Sequence, residues 1–215
     1  MVVRRGSAIF AALLFIMGLQ PAPAQAQGWS ISPWLGYSFP SGDVGNFSDA
    51  DEELKISQGS GFAFGAFLGH DGAGKIGFDF GLGYLSSDVE AEFCSGGDCD
   101  DLGEESSSVI TLNGRVRYMF SGPEAQNKFY GAAGITYLMR GGDAWEDVDG
   151  ANDFGVSLAI GLRRPLTETM QLVVEFEDIL FPGELDNEFG PPVESNSNLN
   201  NHFTLRGGVR IPFGG

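Results

Sequence analysis

The sequence predicts an all-β chain folded as an eight-stranded antiparallel up-and-down transmembrane β-barrel, with long loops at one end and short turns at the other. Three observations carry this. Apolar residues recur with period two in eight segments, the signature of strands that turn one face to an apolar environment. The connections between those segments alternate in length. The intervening positions are Gly, Ser, Thr and Ala with isolated charges and no Lys, which suits a narrow interior better than a solvated outer face.

Residues 1–26 precede the barrel. Arg4 and Arg5 form a positive start, Ile9–Leu19 is an apolar run, and Ala24-Gln25-Ala26 has the small-residue spacing of a cleavage site. This pattern predicts a secretory signal peptide cut after Ala26, leaving a barrel domain over 27–215. The apolar run is about half of the ~20 residues a spanning helix needs. No Cys stands at the cleavage point, which argues against a lipid anchor.

The strands follow in order. Trp29–Phe39 sets Trp29, Ile31, Leu35, Tyr37 and Phe39 against Ser30, Ser32, Gly36 and Ser38, with Pro33 calling for a local bulge because it lacks a ladder donor. Phe62–Gly69 alternates except at Phe67. Ile76–Tyr84, Ile110–Phe120, Phe154–Arg163, Met170–Glu177 and Phe203–Phe213 alternate clearly; Phe129–Arg140 has Gly and Ala on both faces. The connections 41–60, 86–107, 141–152 and 180–200 are the longer ones and fall at one mouth. The short 71–75, 121–128 and 164–169 fall at the other, the arrangement of membrane barrels.

Parity alone does not separate a membrane barrel from a soluble one whose apolar face lines a cavity. The small-residue composition of the second face puts the apolar face outside. Phe39, Phe62, Tyr84, Tyr137, Phe154 and Phe203 then fall at the long-loop ends and Trp29, Phe120, Phe129 and Phe213 at the short-turn ends, as two interfacial aromatic belts require.

The Gly-rich strands, Trp34-Leu35-Gly36-Tyr37 and the terminal Leu205-Arg206-Gly207-Gly208-Val209-Arg210-Ile211-Pro212-Phe213 resemble the small outer-membrane barrels of the OmpA/OmpX type. The resemblance covers the whole chain after the signal segment. It implies residence in the bacterial outer membrane among its lipids and lipopolysaccharide, and delivery by the barrel-assembly machinery. That machinery commonly reads a final aromatic residue; here Gly214-Gly215 follow Phe213.

Arg115, Arg117, Arg163, Arg206 and Arg210 share the inward face with Asp79, Glu175 and Glu177. Unpaired charges in a tight interior are costly, so these eight residues are expected to form a lumen charge network. Strand heights bring Asp79 to Arg117, and Glu175 and Glu177 to Arg206. The expectation is a closed polar lumen; the alternative is a narrow channel for small solutes.

No enzyme is expected. His70 and His202 lie at opposite ends and cannot share a metal, and no nucleophile motif or phosphate loop occurs. His202-Phe203-Thr204 loosely resembles the His-x-Ser pair of outer-membrane lipid A deacylases, but that pair must face lipid and His202 has lumen parity, which leaves it as a rim residue. Neither a cofactor nor a catalytic or metal site is assigned.

The chain has 12 Lys+Arg against 29 Asp+Glu, a formal net charge of -17, which argues against nucleic-acid binding. Of the acids, 23 lie in 41–60, 86–107, 141–153 and 178–194. Such loops stay solvated and attract divalent cations; Asp49–Glu53 and Glu146–Asp149 are oxygen-rich, though neither has EF-hand spacing. Cys94 and Cys99 are the two cysteines and sit in one acidic loop, which predicts a disulfide in an exported protein. The whole predicts a monomeric outer-membrane barrel with a structural or surface-interaction role through acidic extracellular loops.

Overall fold

The computed structural model describes residues 28–41, 43–49, 52–72, 74–95, 98–122, 124–145, 152–182 and 199–213. The predicted signal peptide lies outside them. The strands are β1 (Gly28–Ser41), β2 (Asp43–Asp49), β3 (Glu52–Gln58), β4 (Gly61–Asp71), β5 (Ile76–Ser95), β6 (Asp98–Met119), β7 (Lys128–Gly141), β8 (Asn152–Pro165), β9 (Gln171–Pro182) and β10 (Leu199–Phe213), with one 3-10 turn at Asp143–Trp145.

Eight of these close a ring. β1 pairs with β4, then β5, β6, β7, β8, β9 and β10 follow, and β10 pairs back with β1, every pair antiparallel. Partners followed from Phe203 run through Asp178, Leu158, Ala133, Val116, Phe78, His70 and Trp29 to Phe213, ten residues further along β10. That stagger over eight strands sets the strand tilt at about 40° and the lumen at a width that side chains fill.

On this lattice the two aromatic groups fall at separate heights, about 25 Å apart, the thickness of the apolar band of a membrane barrel. Between them the outward residues are bare: Leu35 is 73% exposed, Ile135 66% and Ile160 65%. A continuous apolar surface of this extent has no counterpart on a soluble monomer; it is the lipid-facing wall.

The structure departs from the sequence reading in four places. The long connections 41–60 and 86–107 are largely paired strand: β2 and β3 form a hairpin, β3 pairs with the far half of β5, and β5 and β6 stay paired out to Cys94 and Cys99. The reason is visible in β5, where Leu85, Ser87, Val89, Ala91 and Phe93 still alternate with Ser86, Asp88, Glu90 and Glu92. A bulge between Ala91 and Glu92 is absorbed by Gly103 at φ 113°, a backbone state suited to glycine.

Pro33 needs no bulge. The β1–β4 register runs unbroken through Pro33 and Ala66, and the β1–β10 ladder keeps the same register on both sides of the gap at Ser32 and Pro33. Asp71, read as a turn residue, is the last residue of β4. Finally, the inner face is not only small and polar. Trp34, Phe67 and Tyr130 lie on it, each directly across the ladder from a glycine: Trp34 from Gly65, Phe67 from Gly81 and Tyr130 from Gly161. A side chain on any of those glycines would meet the facing ring.

This pairing predicts a contrast. Gly81→Val and Gly161→Val overpack the lumen and should each cost about 1–3 kcal/mol. Gly114→Ala and Gly207→Ala enter open space and should leave stability unchanged. Urea unfolding of the protein in lipid vesicles separates the two classes.

Candidate functional site

The inward side chains form layers from the short-turn mouth to the long-loop mouth. Lowest is Asp71, which accepts hydrogen bonds from Arg117, from Arg210 at 2.6 Å and from Arg163 at 3.4 Å. Just above, Asp79 accepts from Arg117 and lies 3.4 Å from Arg115 Nε. Tyr130 occupies the same level, with the Arg163 guanidinium 5.0 Å from its ring.

The middle layer is built on Glu175. Arg115 donates to both of its oxygens, at 2.6 and 2.8 Å, the fork-to-fork geometry of strong ion pairs. Arg206 donates through Nε at 2.9 Å and through Nη2, and the Tyr130 hydroxyl donates at 2.5 Å. Glu177 takes a second bond from each arginine, from Arg206 at 2.8 Å and Arg115 at 3.3 Å. The Phe67 ring packs against both guanidiniums, its centroid 4.1 Å from Arg115 and 4.5 Å from Arg206, so its electron-rich π system meets the positive charge of each.

Above the charges comes a neutral layer. Asn113 donates to Thr136 at 2.9 Å and to Glu177 at 3.1 Å, and Ser38 and Thr204 bond at 3.2 Å. Over it sits an apolar plug of Ala63, Leu85, Val109, Leu138, Ile179 and Phe181. The long-loop mouth is then covered by the Asp143–Trp145 turn: Trp145 donates its indole N–H to Ser107 at 2.9 Å, and Arg140, paired with Asp153, lies over Trp145 and Phe181.

All eight residues assigned to the lumen point inward and none is more than 6% exposed. Sequence reasoning missed Asp71, which shares parity with Ala63 and Gly69 but stands beside a Gly-rich turn. It also missed Tyr130, in the strand with mixed faces, and gave no role to Arg140 at the end of that strand. His202, read as a rim residue, is buried at 3% exposure, because the Asp143–Trp145 turn and the upper strands close over that mouth. Cys94 and Cys99 form a disulfide at the tip of the β5–β6 hairpin. Among the described residues no group of three or more His, Cys, Asp or Glu is placed to hold a metal ion. The acidic stretches Asp49–Glu53 and Glu146–Asp149 fall outside the described side chains.

The layers leave a void of about 30 Å³ among Trp34, Phe67, Asp79, Arg115, Tyr130, Arg163, Glu175 and Arg206, room for about one water molecule. Chemically the arrangement is a cross-link. Asp71 ties β4 to β6, β8 and β10, and Glu175 ties β9 to β6, β7 and β10.

Glu175→Ala leaves two buried guanidiniums sharing Glu177, with Asp79 3.4 Å from Arg115 as the one other carboxylate beside them. The expected cost is about 3–5 kcal/mol, read as a lowered urea midpoint in vesicles, while Asp153→Ala at the covered mouth should cost less.

A family model described as outer membrane protein beta-barrel domain matches residues 8–210. The structure is similar to that of Neisserial surface protein A, at 12% identity and a TM-score of 0.59, covering 88% of this chain and 100% of that one. It is also similar to the outer membrane protein OprG from Pseudomonas aeruginosa, at 14% identity and 0.57, covering 91% and 100%. The outer membrane protein AlkL in lipid bilayers matches at 17% identity and 0.57, covering 91% and 95%. At these identities the likeness is one of fold. No curated protein matches the chain.

Proposed function

The chain belongs to the outer membrane protein beta-barrel domain family and resides in the bacterial outer membrane, and from that premise we propose that it is a non-enzymatic barrel that presents an acidic sheet to the outside as an interaction surface. The observation that carries this reading is the sheet β2–β3–β5–β6 beyond the outer aromatic belt. β5 runs eleven residues past Tyr84, about 36 Å of paired strand that no membrane crossing requires. From Asp88 to Glu105 the hairpin carries eight acids and no basic residue, and Asp98–Ser106 is exposed throughout.

Regular structure held far outside the membrane, closed at its tip by the Cys94–Cys99 bond, gives the acids fixed positions instead of a diffuse cloud. A fixed negative surface attracts cationic partners and divalent ions at range. The same ions would bridge the hairpin to neighbouring lipopolysaccharide, which is anionic. The outward direction follows from the membrane-barrel convention of short turns inside and long loops outside.

The channel reading is less well supported, since the charge layer, the neutral layer and the apolar plug are stacked in series and the charge layer encloses only a water-sized void.

Two experiments test the proposal. Planar-bilayer recordings of the refolded barrel should show no conductance steps; steady single-channel openings would overturn the closed lumen. Replacing residues 88–105 by a two-residue turn should leave the heat-modifiable gel shift of the barrel intact. It should also weaken salt-sensitive retention on immobilised polylysine, and unchanged retention would remove the hairpin as the interacting surface.

A further inference from the structure

Among the described residues, five guanidiniums share the membrane-spanning lumen with four carboxylates, and the excess is uneven. In the middle layer Arg115 and Arg206 face Glu175 and Glu177. Below it Arg117, Arg163 and Arg210 face only Asp71 and Asp79. Arg117 engages both carboxylates, and Arg210 holds Asp71 at 2.6 Å. Arg163 is left with one weak bond to Asp71 at 3.4 Å, and its Nε has no hydrogen-bond partner. Yet Arg163 is only 6% exposed, so bulk water does little to compensate it.

Beneath these residues a cavity of about 380 Å³ opens at the short-turn mouth. Its walls include Trp29, Asp71, Lys75, Lys128, Arg163 and Arg210. Lys75 comes from the β4–β5 turn, where its ammonium lies 5.8 Å from the Tyr118 ring, and Lys128 from the start of β7, across the ladder from Arg163, so chain segments far apart in sequence bring four cationic residues to a cavity lined by one carboxylate. A concave, partly enclosed surface of one sign concentrates counter-ions. Guanidinium forks match the oxygens of phosphate-type anions, and lysine supplies mobile point charge beside them.

We propose that this vestibule binds a phosphate-type oxyanion, which supplements the single 3.4 Å bond that Arg163 makes to Asp71. The anion is either free phosphate or the headgroup of an anionic lipid in the leaflet at that mouth; the recognition chemistry is the same. The site lies at the opposite mouth from the acidic hairpin and is independent of its role.

The test uses residues 27–215 refolded in zwitterionic detergent, with inorganic phosphate as the probe and its phosphorus NMR line width as the readout. Binding should weaken about tenfold in Arg163→Gln, the loss of one charge-assisted hydrogen bond. It should also weaken in the double variant Lys75→Gln/Lys128→Gln, whose turn-end positions leave the lumen network untouched, so this variant decides the matter if Arg163→Gln does not refold. Asp71→Asn, which removes the competing carboxylate, should tighten binding. A parallel arm measures retention of phosphatidylglycerol against phosphatidylcholine by native mass spectrometry after release from mixed micelles. Phosphate binding that these variants alter supports a site for the free anion. Selective, Lys75/Lys128-dependent retention of phosphatidylglycerol without phosphate binding supports the headgroup. No binding of either probe, or binding that is unchanged in the double variant, overturns the proposal.

Discussion

Hydrocarbon offers nothing to a backbone N–H, and a strand that crosses it must find every partner on another strand. For a sheet the one solution is closure, and closure at eight strands with a stagger of ten leaves a lumen that water cannot occupy freely. Most of the other features answer that single condition. The outer face is apolar because lipid touches it, and the inner face must fill a tube about one side chain in radius. Any charge within the tube must find its counter-charge there.

The inner face meets this with two devices. Trp34, Phe67 and Tyr130 each lie over a glycine on the next strand, so large rings occupy space that paired side chains would overfill. The carboxylates Asp71 and Glu175 each reach three other strands, crossing the lumen where the hydrogen-bond ladder only follows its wall. Phe67 joins the devices, since its ring is held over Gly81 and against the two guanidiniums that bind Glu175. A well-packed apolar interior would be no less stable than such an ion cluster. What the ions add is register: sliding one strand by two residues would strand a charge.

Much of this was legible in the amino-acid order because lipid enforces a rule residue by residue. Every second position from Ile76 to Tyr84 must be apolar, and the alternation fixes both strand and face. The inward charges followed from parity, since Arg115 and Glu175 alternate with the apolar residues of their strands. The rest was hidden for physical reasons. Phe67 had the parity of Ala63 and Gly65, but an aromatic side chain reads as lipid-facing unless the glycine across the ladder is known. Asp71 adjoins Gly72 and Gly74, which carry the signal of a turn. In the outer half of β5 the acids on one face resemble a solvated loop, although Leu85, Val89 and Phe93 keep the strand period. Trp145 belongs to no strand, and nothing local foretells that it folds back over the mouth.

The seam between β1 and β10 has a consequence in time. Trp29 pairs with Phe213, and Phe39 with Phe203, so the join links the two extremes of the described chain. Every other junction in the ring joins strands that follow closely in sequence, except that β2 and β3 intervene between β1 and β4. Loop-closure entropy makes the longest-range pairing the slowest to form. Until it forms, two raw strand edges face hydrocarbon or invite a neighbouring chain. Assembly is therefore governed by its final step: a chain lacking β10 gains no fraction of a barrel, and a sheltering surface at the open edges is needed for as long as the seam stays unmade.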